Sequence, residues 1–164
     1  MYKLKLKTNT MGFFDKMKSF VGVGGPVITF TSVEDNIHVT DTGIKFNISV
    51  ASENAITVKA VTGTLKVTYK NDAGEERTET LGSETDNGEH WGVDDNPFPG
   101  IISKDQNWDF AGSVYMDDEK SILLQELFSN KSKTQLKVIL NVEVDVKETG
   151  GLFDPSVQRE ITLH

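Results

Sequence analysis

The chain has 164 residues, about the length of one domain, and its hydrophobic fraction of 37% and charged fraction of 26% exclude a wholly disordered protein. Its net charge of −8 argues against nucleic acid as a partner, and the absence of cysteine excludes disulfides, thiolate metal sites and cysteine nucleophiles. No apolar run approaches the ~20 residues of a membrane-spanning helix, so we expect no transmembrane segment and a cytoplasmic location.

The first ten residues alternate apolar side chains with lysine. They are predicted to form a flexible N-terminal arm, with two alternatives: a short edge strand, or sequence that precedes a true start at Met11. We expect residues 11–164 to form a single β-sandwich domain.

After Met11 the apolar residues recur with the period of a helix, until glycine and proline end the pattern at residues 22–26. This helix is predicted to cap one end of the sandwich; the alternative is a helix that docks on a membrane surface or a partner. Its candidate interaction residues are Phe13, Phe14, Met17 and Phe20.

Strand patterns dominate the rest of the chain, and the predicted strands cover residues 27–33, 44–50, 56–69, 75–81, 108–116, 136–146 and 157–163. In the third strand the apolar positions are even-numbered before Ala60 and odd-numbered after it, so the side that faces the core changes there. This change predicts a bulge or bend near Ala60. A helix is predicted over residues 119–128, with Asp117 or Asp118 as its N-cap. Together these elements predict an all-β fold: an immunoglobulin-like antiparallel β-sandwich of about seven strands, with an N-terminal capping helix and one short helix between late strands.

Residues 82–105 are rich in Gly, Asp, Asn and Pro and are predicted to form a long irregular loop. Acidic side chains in this loop are weak candidates for a calcium site, although their spacing is not that of an EF-hand: Asp86, Glu89, Asp94 and Asp95. The alternative is that these side chains are simply solvated. Trp91 and Phe98 are candidate interaction residues, unless both rings fold down to cover the end of the sandwich.

Recognisable catalytic motifs are absent from the sequence. His38, His90 and His164 are isolated from one another, and no metalloprotease, nucleophile-elbow or phosphate-loop motif is present. We therefore expect a protein that is not an enzyme, with no catalytic residues and no cofactor.

The order of elements resembles the late-embryogenesis-abundant proteins built on the water-stress and hypersensitive-response (WHy) domain. The segments that carry the resemblance are residues 13–21 (FFDKMKSFV), the strand and hairpin of residues 44–81, Pro99-Gly100, residues 121–124 (SILL), the alternating strand of residues 136–146, and Gly151 with residues 160–163 (EITL). The resemblance implies a folded, non-enzymatic protein linked to desiccation and other stresses. Residues 52–55 (SENA) replace the Asn-Pro that the family has after its first long strand.

A second resemblance rests on residues 12–14 (GFF) and 21–24 (VGVG), which are similar to the start of the bacterial arrestin-like sporulation-control proteins. Those proteins are β-sandwiches that work through protein partners, and this chain is shorter than their usual two sandwiches.

Three functional hypotheses follow from these patterns. The first is a stress-associated β-sandwich that acts by weak binding or protection of proteins or membrane surfaces. The second is an arrestin-like adaptor or regulatory module that docks a specific protein partner through strand edges or the 82–105 loop. The third is a calcium-dependent binding domain.

Overall fold

The structure is a computed structural model that describes residues 25–130, 135–149 and 154–164. Within these ranges it contains nine strands, one α-helix and a short 3-10 turn at Lys147–Thr149. The elements are β1 (Val27–Val33), β2 (Asn36–Ile37), β3 (Gly43–Ala51), β4 (Ile56–Lys70), β5 (Glu76–Asp86), β6 (Gly100–Ile102), β7 (Asn107–Tyr115), α1 (Asp118–Asn130), β8 (Leu136–Val146) and β9 (Ser156–Leu163).

The strands form two sheets. The smaller has the order β1-β3-β7, and the larger has the order β2-β9-β8-β4-β5, with β6 paired to the first residues of β4. Every pairing is antiparallel except the short parallel contact between β2 and β9. The prediction of an all-β sandwich is therefore confirmed. The predicted N-terminal arm and capping helix, with Phe13, Phe14, Met17 and Phe20, lie outside the described residues.

The core lies between the two sheets and follows the alternation of the strands. On β3, Ile44, Phe46, Ile48 and Val50 are buried while the side chains between them face outward. On β8, every even-numbered residue from Val138 to Val146 is buried in the same way. Two opposed apolar faces of this kind bury each other and leave the polar faces in water.

A bulge in β4 reverses which residues face the core. Ile56 and Val58 are buried at even positions, whereas Val61 and Leu65 are buried at odd positions. The register with β8 shifts between Val58 and Ala60. One extra residue moves the inward face by one position, so the bulge predicted near Ala60 is confirmed.

The prediction that residues 82–105 form one irregular loop is wrong at both ends. β5 continues through Asp86, and β6 occupies Gly100–Ile102. The part of β5 beyond residue 81 pairs with β4 in antiparallel register, and hydroxyl pairs lie on its outer face, with Thr62 and Thr85 oxygens 2.9 Å apart and Thr64 and Ser83 oxygens 3.2 Å apart. Polar cross-strand pairs of this type hold a strand that lacks an apolar alternation.

Helix α1 connects the last strand of the smaller sheet to β8 of the larger one, as predicted for residues 119–128. Asp117 caps it, because its carboxylate accepts the Lys120 backbone N–H at 2.8 Å. Leu124 and Leu127 are buried beneath the helix. In the described ranges, no helix is long and apolar enough to cross a bilayer.

Candidate functional site

A groove of about 480 Å³ lies between β5 and β7 and is lined by residues of β3, β4, β5, β7 and the loop that follows β5. We call it the β5–β7 groove. β7 is an edge strand of the smaller sheet, and β5 is an edge strand of the larger one. The two strands touch at one end, where a side chain on Gly82 would collide with the Tyr115 carbonyl oxygen. The groove occupies the space between the two edges beyond that contact.

The floor of the groove is apolar and is shaped by two glycines. Phe46, Val61 and Phe110 line it and are buried. A Cβ on Gly63 would lie 2.6 Å from Val114 Cγ2, and one on Gly112 would lie 2.5 Å from Phe46 Cζ. The Phe46 ring and the Val114 side chain therefore occupy the space that the two glycines leave, so the floor is closely packed.

One wall of the groove carries negative charge. Glu84 pairs in register with Gly63, and Asp86 pairs with Val61. Because cross-strand partners share a face, both carboxylates lie on the side of β5 that faces the smaller sheet. Residues 82–99 contain five Asp or Glu and no Lys or Arg. The wall and the adjoining loop thus form an acidic rim beside an apolar floor.

The hydrogen bonds of Lys45 show to which side of β3 each residue directs its backbone N–H and carbonyl groups. Its N–H donates to Glu34 Oε2 at 2.9 Å, and its carbonyl oxygen accepts the Glu34 N–H at 3.0 Å. Both groups of Lys45 therefore point toward β1 and away from β7. Since backbone direction alternates along a strand, the neighbouring Ile44 and Phe46 point toward β7.

The same alternation identifies the unpaired groups of β7. Gly112 lies opposite Phe46 and so bonds to β3, and the Met116 N–H follows the same parity by donating to the Thr42 carbonyl oxygen at 2.8 Å. Ala111 and Ser113 then direct their N–H and carbonyl groups to the other side of β7. Among the described residues that side pairs with no strand, and both residues line the groove.

A structured loop closes the outer end of the groove. The Trp91 indole N–H donates to both Asp86 carboxylate oxygens, at 2.8 and 2.9 Å, and the ring stays 41% exposed. Asp86 also accepts the Gly88 N–H at 3.1 Å. The Asn96 side-chain amide donates to the Gly88 carbonyl oxygen at 3.1 Å and so supports the turn. These contacts hold Trp91 at the rim, beside His90.

The structure separates the residues that the sequence placed together in the loop. Trp91 is exposed at the groove, but Phe98 is buried, with its ring centroid 5.5 Å from that of Phe110 and 5.6 Å from that of Trp108. Phe98 belongs to the hydrophobic core, as expected if its ring covers the end of the sandwich. Across residues 25–130, 135–149 and 154–164, no three His, Asp or Glu side chains gather as metal ligands. The candidate calcium ligands Asp86, Glu89, Asp94 and Asp95 are therefore not brought together.

Sequence reasoning missed the floor of the groove. The alternation of apolar and polar residues predicts Phe46 and Phe110 only as core residues of their strands. The available signal was that Gly63 and Gly112 both stand at inward positions of alternating strands, where a side chain is expected. Only the packing of the two sheets shows that both positions lie against the Phe46 ring.

No protein-family model matches the chain, and no curated protein matches its sequence. The structure is similar to the crystal structure of Spo0M, a sporulation control protein from Bacillus subtilis, with a TM-score of 0.51 and 12% sequence identity. The superposition covers 85% of this chain and 48% of Spo0M, so the chain spans about half the length of that protein. The chain shares the fold of this half of Spo0M.

A second solved structure, a protein from Archaeoglobus fulgidus, superposes with a TM-score of 0.46 and 10% identity over 83% of this chain and 91% of that one. The likeness to Spo0M supports the fold implied by the resemblance to sporulation-control proteins. The resemblance to the WHy domain gains no support from family models or from curated sequences.

Proposed function

We propose that this protein is a non-enzymatic adaptor or regulatory module that binds a specific protein partner in the β5–β7 groove. The observation that carries the proposal is the combination, in one groove, of an apolar floor with an edge of β7 that no strand of the described residues pairs with. Edges and grooves of sheets are common sites for peptide segments, because main-chain hydrogen bonds supply affinity and neighbouring pockets supply specificity.

The comparison with Spo0M supports the same class of function. Spo0M is named as a sporulation control protein, and a regulatory role is the part of that description that we extend to this chain. The proposed contact surface consists of Trp91 at the rim, the β7 edge at Ala111 and Ser113, and the acidic wall of β5. A cytoplasmic location remains part of the proposal.

Site-specific photocrosslinking in cells that naturally make the protein tests this proposal. Benzoylphenylalanine in place of Ser113 lies at the groove, and the same group in place of Gln158 lies on an exposed position of β9 as a matched control. We expect one discrete protein adduct from position 113, weakened by Trp91→Ala, and none of that mass from position 158. Identical adducts from both positions, or no adduct from position 113, would contradict the proposal.

Stress protection remains a prediction from the sequence alone. Neither the family models nor the curated proteins connect the chain to a stress-protection family. A freeze-thaw assay of a labile enzyme separates the two functions. For an adaptor we expect no more protection than an inert protein gives at equal concentration, whereas clear additional protection would favour the stress hypothesis.

A further inference from the structure

We infer that the occupant of the β5–β7 groove is an extended, lysine- or arginine-rich segment of the partner protein, which adds to the free edge of β7 as an extra strand. This inference rests on the proposed function and specifies the chemistry of the partner. It follows from three features of the groove: the direction of the β7 backbone, the small side chains along that edge, and the charge opposite it.

The backbone of β7 offers a short row of hydrogen-bonding groups to the groove. Ala111 and Ser113 point their N–H and carbonyl groups away from β3, and no strand in the described part of the chain pairs with them. An extended segment laid along this edge satisfies these groups at the spacing of an ordinary sheet.

The edge of β7 lacks the usual protection at this point. Sheet edges are commonly guarded by lysine, proline or a bulge that prevents pairing with another chain. Residues 111–113 of β7 are Ala, Gly and Ser, and the pairing of β7 with β3 is continuous without a register shift. A backbone can therefore approach this stretch of β7 closely.

The acidic wall selects the charge of the occupant. Glu84 and Asp86 face the groove from β5, and Glu89, Asp94 and Asp95 lie in the adjoining loop. Among the residues that the structure describes, Lys45 is the lysine that lines the groove. The balance attracts a cationic segment and repels an acidic one.

The apolar floor determines which side chains of the bound segment can face inward. Phe46 and Phe110 lie beneath the free edge, so side chains directed inward from an added strand meet aromatic rings. Successive side chains of a strand point to opposite faces. Side chains that the added strand directs inward therefore meet both the aromatic floor and the carboxylates of Glu84 and Asp86. Long basic side chains match both, because their methylene stems can lie on the rings while their charged ends reach the acidic wall.

Short synthetic peptides test the inference on the full-length protein. The probe is a fluorescein-labelled peptide of alternating lysine and valine, compared with a peptide of alternating glutamate and valine and with the lysine peptide methylated at every peptide nitrogen. Fluorescence anisotropy should show binding of the lysine peptide, no binding of the glutamate peptide, and affinity reduced by about tenfold or more on methylation, because a methylated strand cannot donate to β7.

Matched charge reversals locate the binding. Glu84→Lys should weaken binding of the lysine peptide by about three- to tenfold, whereas Glu143→Lys, an equal change on an exposed position of β8, should leave it nearly unchanged. Amide exchange of Ala111 and Ser113, measured by NMR, should slow when the peptide is bound.

The inference is overturned if the lysine peptide fails to bind, if methylation has no effect, or if both charge reversals weaken binding equally. If any of these results is found but the crosslink at position 113 is still specific to the groove, the proposed function is retained and binding by strand addition is rejected. Failure of the crosslink as well removes the proposed function.

Discussion

At the scale of single residues, the contact between Asp86 and Trp91 determines how the rim of the groove is arranged. Asp86 accepts hydrogen bonds from the indole N–H and from the Gly88 backbone, so one carboxylate orders both the ring and the turn. Hydrogen bonds to a charged acceptor are stronger than those between neutral groups. The loop thereby holds an exposed aromatic ring in place without burying it.

Replacing Asp86 with alanine should release Trp91. The chain has two tryptophans, so a protein labelled with 5-fluorotryptophan gives two ¹⁹F signals. We expect Asp86→Ala to move the Trp91 signal toward its position in the unfolded chain and to leave the Trp108 signal unchanged. Glu89→Ala in the same loop serves as the control and should move neither. An unmoved Trp91 signal in Asp86→Ala would show that other contacts hold the ring.

Gly63 tests the packing of the groove floor. A Cβ at this position would lie 2.6 Å from Val114 Cγ2 and 3.1 Å from Phe46 Cε1, so Gly63→Ala should lower the free energy of unfolding by about 1–3 kcal/mol. Gly92→Ala is the matched control, because no atom lies within 4 Å of the added carbon. Urea denaturation measures both. Equal stability of the two variants would mean that the floor yields to an extra methyl group.

At the scale of elements, the cap of α1 can be measured directly. The Asp117 carboxylate accepts the Lys120 N–H at 2.8 Å, so Asp117→Ala should lower the free energy of unfolding by about 0.5–2 kcal/mol. Asp117→Ser keeps an acceptor at the N-cap and should recover most of that loss in the same thermal or urea experiment. A serine variant as unstable as the alanine variant would assign the effect to something other than capping.

The strands that sequence reasoning found and those that it missed differ in how they are stabilised. β3 and β8 alternate apolar and polar residues over their whole length, and this local pattern is enough to predict them. β5 carries one buried apolar residue, Leu81, and its backbone pairing with β4 is accompanied by hydroxyl contacts that only the folded sheet brings together. The groove was hidden for the same reason, since its two edges come from distant parts of the chain.

At the scale of the whole molecule, negative charge at an open edge should keep copies of the chain apart. Glu84 and Asp86 face the groove, and inward charges near an edge strand discourage pairing between copies. The sequence pI is about 4.9, so lowering the pH from 7.5 toward 5 removes most of the net charge. We expect light scattering to show more self-association at pH 5, and Glu84→Ala to associate more than Glu143→Ala at pH 7.5. Association independent of pH and of both substitutions would contradict this role.

Amide hydrogen exchange of the protein alone tests most directly whether the edge of β7 is free. We expect alternating protection along this strand: slow exchange at Gly112 and Val114, whose N–H groups bond to β3, and fast exchange at Ala111 and Ser113, whose N–H groups point into the groove. Protection of Ala111 and Ser113 equal to that of Gly112 and Val114 would show that the edge is already covered, and would contradict the account.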